Sequence, residues 1–142
     1  MSDAPHIAFT VPGAIQQERK RHVKRGQWQR RVDTREAADW KVRAAAWALQ
    51  AMQEAHLQPL DGPLVLEATW YRPKPQSWRK ADNLPHKKPD LDNYVKLLND
   101  ALNGIVFVDD ARIVTAHLHK RFDVRERVEV CVRAITGEED TP

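Results

Sequence analysis

Residues 88–110, KPDLDNYVKLLNDALNGIVFVDD, change their periodicity twice within 23 positions, and those two changes decide how the chain is read. Pro89 biases Lys88 toward extended backbone, and an extended Asp90-Leu91-Asp92 directs both carboxylates to one side. From residue 92 to 103 apolar side chains return at helical spacing through Tyr94, Leu97, Leu98, Ala101 and Leu102, and Gly104 supplies the stop. Residues 105–108 then read as a short apolar strand running straight into Asp109 and Asp110.

This order makes a two-carboxylate prong at the start of a helix. Asp92 falls where the helix dipole and free N–H groups stabilise negative charge, and Lys96 lies four residues on along the same face. If residues 105–108 fold back along the helix, Asp109 and Asp110 join Asp90 and Asp92. Carboxylates gathered in this way repel one another unless a cation is bound, and an all-oxygen set suits Mg²⁺, with Mn²⁺ as a substitute. Taken singly the signals are weaker: Asp92 serves equally as a helix N-cap, and Asp109-Asp110 as an ordinary turn. An EF-hand is excluded because Tyr94 and Val95 stand where that loop needs an oxygen ligand and a glycine. His117 and His119 share a strand face without a cysteine or acid at a zinc spacing, so they read as surface or core histidines.

Outward from this segment, the rest of the chain reads as a mixed α/β (α+β) fold, a mixed sheet packed by two main helices. Residues 7–11 alternate weakly as a first strand ended by Pro12 and Gly13. Residues 34–56 carry Ala37, Trp40, Ala44, Trp47, Ala48 and Met52 at helical spacing, with Asp33 or Thr34 as N-cap and both tryptophans packed on the sheet. Residues 64–71 alternate as a half-buried strand. Residues 72–89 hold Pro73, Pro75, Pro85 and Pro89 and read as a long functional loop, in which Trp78 either stacks on a ligand or pins the loop to the body. Residues 112–122 and 126–135 read as two more strands joined by a turn near Asp123, the second carrying the lone Cys131. One domain over residues 1–136 is expected, followed by an acidic, disordered tail over 137–142.

With one cysteine, neither a disulfide framework nor a CxxC metal site is possible. No run approaches the roughly 18 apolar residues of a membrane span, and no basic-then-apolar leader opens the chain, so a cytoplasmic protein without membrane association is expected. Net charge is only +3, but thirteen of the 23 lysines and arginines fall in two segments, 19–31 and 72–88, each read as a loop. Arg19, Lys20, Arg21, Lys24, Arg25, Arg30 and Arg31 in the first, and Arg79, Lys80, Lys87 and Lys88 in the second, are candidate contacts to a phosphate backbone. A solvated surface is the plainer reading of such runs.

Taken together, residues 88–114 are similar to the signature segment of the RusA family of Holliday-junction resolvases. The family pattern is a basic or proline-containing lead-in, then DxDN, a lysine four residues after the second aspartate, Asp-Ala-Leu toward the helix end, and a hydrophobic stretch closing on Asp-Asp. The chain supplies Asp90 to Asn93, Lys96, Asp100-Ala101-Leu102 and Asp109-Asp110 in turn. Val11-Pro12-Gly13 and Thr34 opening a long helix agree more loosely, and Arg19-Lys20-Arg21 stands where many relatives have Arg-Pro-Arg. The resemblance implies a homodimer that binds four-way DNA junctions and resolves them by paired, symmetric, Mg²⁺-dependent incision during recombination and repair. By position it makes Asp90, Asp92 and Asp110 the metal-binding catalytic aspartates and Lys96 the catalytic lysine, with Asp109 a further candidate ligand. Two rival classes are a non-catalytic DNA-binding protein, indifferent to chelator, and a small-molecule phosphohydrolase, against which the clustered cations argue.

Overall fold

In the computed structural model, which describes residues 4–136, apolar alternation is the force that orders the sheet. Ile7 and Val11 point inward from strand β1 (His6–Pro12). A hairpin of β2 (Lys20–Arg25) and β3 (Trp28–Asp33) follows, then helix α1 (Arg35–Glu54), strand β4 (Leu64–Arg72), helix α2 (Leu91–Leu102) and strands β5 (Ile113–Phe122) and β6 (Arg127–Ala134). The acidic tail over 137–142 lies outside the described residues.

The main sheet runs β1-β6-β4-β5. β6 pairs antiparallel with both β1 and β4, while β5 lies parallel to β4, Trp70 opposite Lys120 and Arg72 opposite Phe122. The turn near Asp123 therefore carries the chain past the end of β4, and β5 and β6 are not neighbours. Both helices cover one face of this sheet. Leu64, Leu66, Ala68 and Trp70 of β4 and Val128, Val130 and Val132 of β6 meet Trp40, Ala44 and Ala48 of α1 and Leu97, Leu98 and Leu102 of α2 in one core. Full burial of each large apolar side chain contributes about 2 kcal/mol. Trp70 stacks on Tyr94 at 5.5 Å between ring centroids, locking the carboxyl-terminal part of β4 to the first turn of α2. No polar or charged residue is buried among those described, so every candidate carboxylate stands at the rim.

Three expectations are corrected. Of the two α1 tryptophans only Trp40 is core; the buried stripe is centred on Ala37 and Ala44, and Trp47 lies at its edge, 42% exposed. Of the two N-cap candidates expected, Thr34 is the one used, its Oγ1 accepting from the Ala37 N–H at 3.4 Å. Residues 105–108 are not a strand. Gly104, at φ 80°, turns the chain, the Ile105 and Val106 N–H groups bond back to the Leu102 carbonyl at 3.0 Å, and Leu60 holds Val106 and Val108 at 2.8 and 3.0 Å. Val106 and Phe107 are fully buried there, which satisfies the apolar run without a ladder. The basic segment 19–31 is the β2–β3 hairpin rather than a loop.

Candidate nucleic-acid and metal site

Asp90 is the N-cap of α2, in extended backbone at φ −75° and ψ 150°, and its side chain makes no capping hydrogen bond. Asp92 stands in the first turn, and both side chains are exposed. The extended Asp-x-Asp does not form, because α2 starts at Leu91 and only Asp90 keeps extended backbone. The start of α2 still carries two exposed carboxylates, with Asp90's oxygens not engaged by the helix they cap.

The run leading into Asp90 is held from the sheet. Lys120 Nζ donates to the carbonyls of Lys87 at 2.8 Å and Pro89 at 2.9 Å, while Arg72 Nη1 reaches the Lys88 carbonyl between them at 3.5 Å. Burial pushes the Lys120 ammonium below the usual lysine range, with Arg72 acting the same way and Asp90 opposing them. Sequence reasoning singles out neither Lys120 nor Arg72 as a site residue. They converge because β4 and β5 are parallel neighbours and both residues sit toward the carboxyl ends of those strands, where open α/β sheets gather ligands.

Asp109 and Asp110 lie elsewhere. The Asp109 carboxylate accepts from the Ala111 N–H at 3.1 Å and opens a 3-10 turn, Asp110–Arg112, and the Asp110 N–H donates to Oδ1 of Asn103, the C-cap of α2, at 2.8 Å. At 1.5 Å per residue the 12-residue α2 is about 18 Å long. Asp90 and Asp110 therefore stand at opposite ends of it, and β5 returns over about 23 Å from Ile113 to Lys120. The expected fold-back of Asp109 and Asp110 onto the helix start does not occur within one chain, because the turn at Gly104 is tied to Leu60 at the far end. Consistently, no group of three or more His, Cys, Asp or Glu side chains is gathered as a metal site among the described residues. Burial, then the hydrogen bond and charge of Asp109, push the Asp110 carboxyl above the usual range, and Asp100 adds to the effect. His117 and His119 lie on the uncovered sheet face, where Arg121 Nη2 donates to His119 Nδ1 at 3.2 Å.

Both basic segments converge on the Asp90 end. Arg25 pairs with Trp28 across a two-residue turn in which Gly26 has φ 59°, the positive value that a tight hairpin favours. One face of the ribbon carries Arg21, Arg25, Arg30 and the half-exposed Trp28, with the Arg30 guanidinium 5.3 Å from the Trp28 ring. The other face joins the ribbon to the body. Lys20 pairs with Asp33 at 2.6 Å and Glu18 at 3.5 Å, Lys41 pairs with Asp33 at 2.5 Å, and Lys96 of α2 pairs with Glu18 at 3.2 Å. Burial works against the Asp33 carboxylate, but its bonds to Lys20 and Lys41 prevail and hold its pKa down. Lys20 is thus a structural cation, whereas Arg19, Arg21, Lys24, Arg25 and Arg31 make no side-chain ion pair or hydrogen bond among the described residues.

The second basic segment is irregular between β4 and α2, as its prolines require, and the Lys88–Pro89 peptide is cis. Trp78 packs edge-on against Phe122 at 5.3 Å with Lys87 over its ring at 4.7 Å, so it pins the loop to β5. Arg79 pairs with Asp82 at 3.5 Å, and Lys80, Lys87 and Lys88 are exposed.

The start of α2 thus sets two exposed carboxylates between two cationic segments. Residues 12–133 match the family described as endodeoxyribonuclease RusA, and the chain belongs to that family. It is also 34% identical over 143 residues to the protein of Bacillus subtilis (strain 168) named "Uncharacterized protein YqaN", covering 92% of this chain and 98% of that protein. No helix among the described residues is long and apolar enough to cross a membrane.

Proposed function

We propose that the protein is a divalent-metal-dependent endodeoxyribonuclease that resolves four-way DNA junctions as a homodimer, in the cytoplasm, during recombination and repair. The observation that carries this reading is the convergence of the β2–β3 ribbon and the 73–89 loop on the end of α2 that bears Asp90, Asp92 and Lys96. A phosphate backbone gripped by both segments lies across the prong.

Asp90 and Asp92 offer exposed, hard oxygen donors of the kind Mg²⁺ or Mn²⁺ takes, with Asp90 unused as a cap, so the donor chemistry fits. When bound, the ion supplies an activated water and stabilises charge on the scissile phosphate. Two carboxylates are few for a site of this kind, and Asp109 and Asp110 are too distant within the chain. A two-fold dimer supplies them if Asp90 and Asp92 of one protomer face the partner's Asp110, with the partner's Asp109 beside it; the symmetric substrate then meets two equivalent sites. Lys96, 68% exposed, offers its ammonium to the DNA backbone beside Asp92, and the ribbon arginines hold backbone rather than read bases.

Incubating the protein with a synthetic four-way junction and a linear duplex of the same sequence, in Mg²⁺ and in chelator, tests the reading. Paired nicks in the junction with Mg²⁺ alone are expected. Junction binding without nicks in either condition would replace it by a non-catalytic DNA-binding role.

A further inference from the structure

Between the ribbon and the first turns of α2 lies a cleft of about 280 Å³ lined by Glu18, Lys20, Arg31, Asn93 and Lys96. Three cations face one acid there. These charges are not equivalent. Glu18, 11% exposed, is fixed against α2 by its N–H bond to the Asn93 carbonyl at 2.9 Å, and its carboxylate is shared by Lys20 and Lys96. Lys20 is already neutralised by Asp33. Arg31 has no side-chain partner among the described residues, and Lys96 has only Glu18. The cleft therefore presents a free guanidinium and an ammonium bonded to one exchangeable carboxylate, beside the Asn93 amide. An anion with several acceptor oxygens satisfies that set, since the guanidinium fork matches phosphate geometry.

We infer that this cleft is a subsite for one backbone phosphate of the DNA strand, seated between Arg31 and Lys96, with Glu18 as the internal counter-ion that the phosphate displaces from Lys96. The ligand class rests on the DNA-cleaving reading above; the subsite itself requires neither metal nor catalysis. Asn93 follows Asp92 directly, so a phosphate held here fixes the strand against the prong, and Lys20 and Arg31, on one face of the ribbon, tie the grip of the ribbon to that position.

The test is junction binding in chelator, read by fluorescence anisotropy, for the wild type, Arg31→Gln and Glu18→Gln, on junctions carrying a single neutral methylphosphonate at successive positions. Arg31→Gln should weaken binding roughly tenfold and lower the salt slope by about one. Glu18→Gln should tighten binding by roughly threefold or more, a gain that misfolding cannot produce, because the competing carboxylate is gone. One methylphosphonate position should weaken the wild type and leave Arg31→Gln unaffected. Glu18→Gln binding no tighter than wild type, or equal sensitivity of wild type and Arg31→Gln at every position, would overturn the subsite. Binding that behaves as expected in a protein that never nicks with Mg²⁺ would sink the nuclease reading and leave the subsite standing, while absence of any junction binding overturns both.

Discussion

The Asp110 N–H donates to Oδ1 of Asn103 at 2.8 Å, which fixes Asp110 beside the last turn of α2 while Asp90 caps the first. A site that uses both residues must draw them from two chains. Asp92→Asn and Asp110→Asn should each be inactive alone, yet a refolded equal mixture should recover about a quarter of the wild-type incision, since half the dimers then hold one intact site. Nicking should be confined to one strand per junction. A mixture as dead as its parents, with heterodimers verified by mass, would place the site within one chain.

Asp110 should also weaken the fold when no cation is bound. Burial and Asp109 raise its pKa in the folded state, so the folded chain binds that proton more tightly than the unfolded one. Its contribution is fully present below the ordinary carboxylate value and is lost as pH rises through the raised folded value. Asp110→Asn in chelator should melt slightly higher than wild type at pH 7, and the difference should vanish near pH 3, read by differential scanning calorimetry. A lower melting temperature for the variant at pH 7 would contradict the direction.

The helix that carries Asp90 and Asp92 was legible because its signals are local: Leu97 and Leu98 set the helical face and Gly104 ends it. The extended Asp-x-Asp was not, because the helix already starts at Leu91. Nor was the ribbon. The face that meets the body does so through Lys20 and Asp33 rather than apolar side chains, so Lys20 to Arg25 shows no apolar alternation, and only the Gly26-Gln27 turn marks a hairpin. The apolar run 105–108 has the composition of a strand, and its irregular form follows from a partner at Leu60 that local pattern does not reveal. Lys120 is a site neighbour only through the parallel pairing of β4 with β5, a long-range fact. The placement of Asp110 at the far end of α2 follows from the same two features.

Lys120 should set the metal requirement through Asp90. Lys120→Met removes two hydrogen bonds to the lead-in carbonyls and keeps the stem, so the Mg²⁺ concentration for half-maximal cleavage and the Mn²⁺ dissociation constant by electron paramagnetic resonance should both rise about tenfold. Lys120→Arg should restore part of the loss. Unchanged metal titrations in a folded Lys120→Met would show that the clamp does not shape the prong.

Neutralising the outer face of the ribbon, Arg21→Gln, Arg25→Gln and Arg30→Gln together, should weaken junction binding and reduce the logarithmic salt slope by roughly one for each phosphate that is no longer gripped. The far-ultraviolet spectrum should be unaltered, since these side chains make no ion pairs. Lys20 is a poor choice for this test because Asp33 and Glu18 depend on it. An unchanged slope would mean the ribbon is merely solvated.

The central claim is that Asp90 and Asp92 support cleavage rather than binding, and Asp92→Asn, measured for both on the same four-way junction, tests it most directly. Asp39, exposed on α1, is the control; Asp100 is not, because its charge acts on Asp110. Loss of a direct oxygen ligand should cut the Mg²⁺-dependent incision rate by about a hundredfold or more, with junction affinity in chelator equal to or tighter than wild type and Asp39→Asn at full rate. A folded Asp92→Asn protein that still nicks junctions at the wild-type rate would contradict the claim.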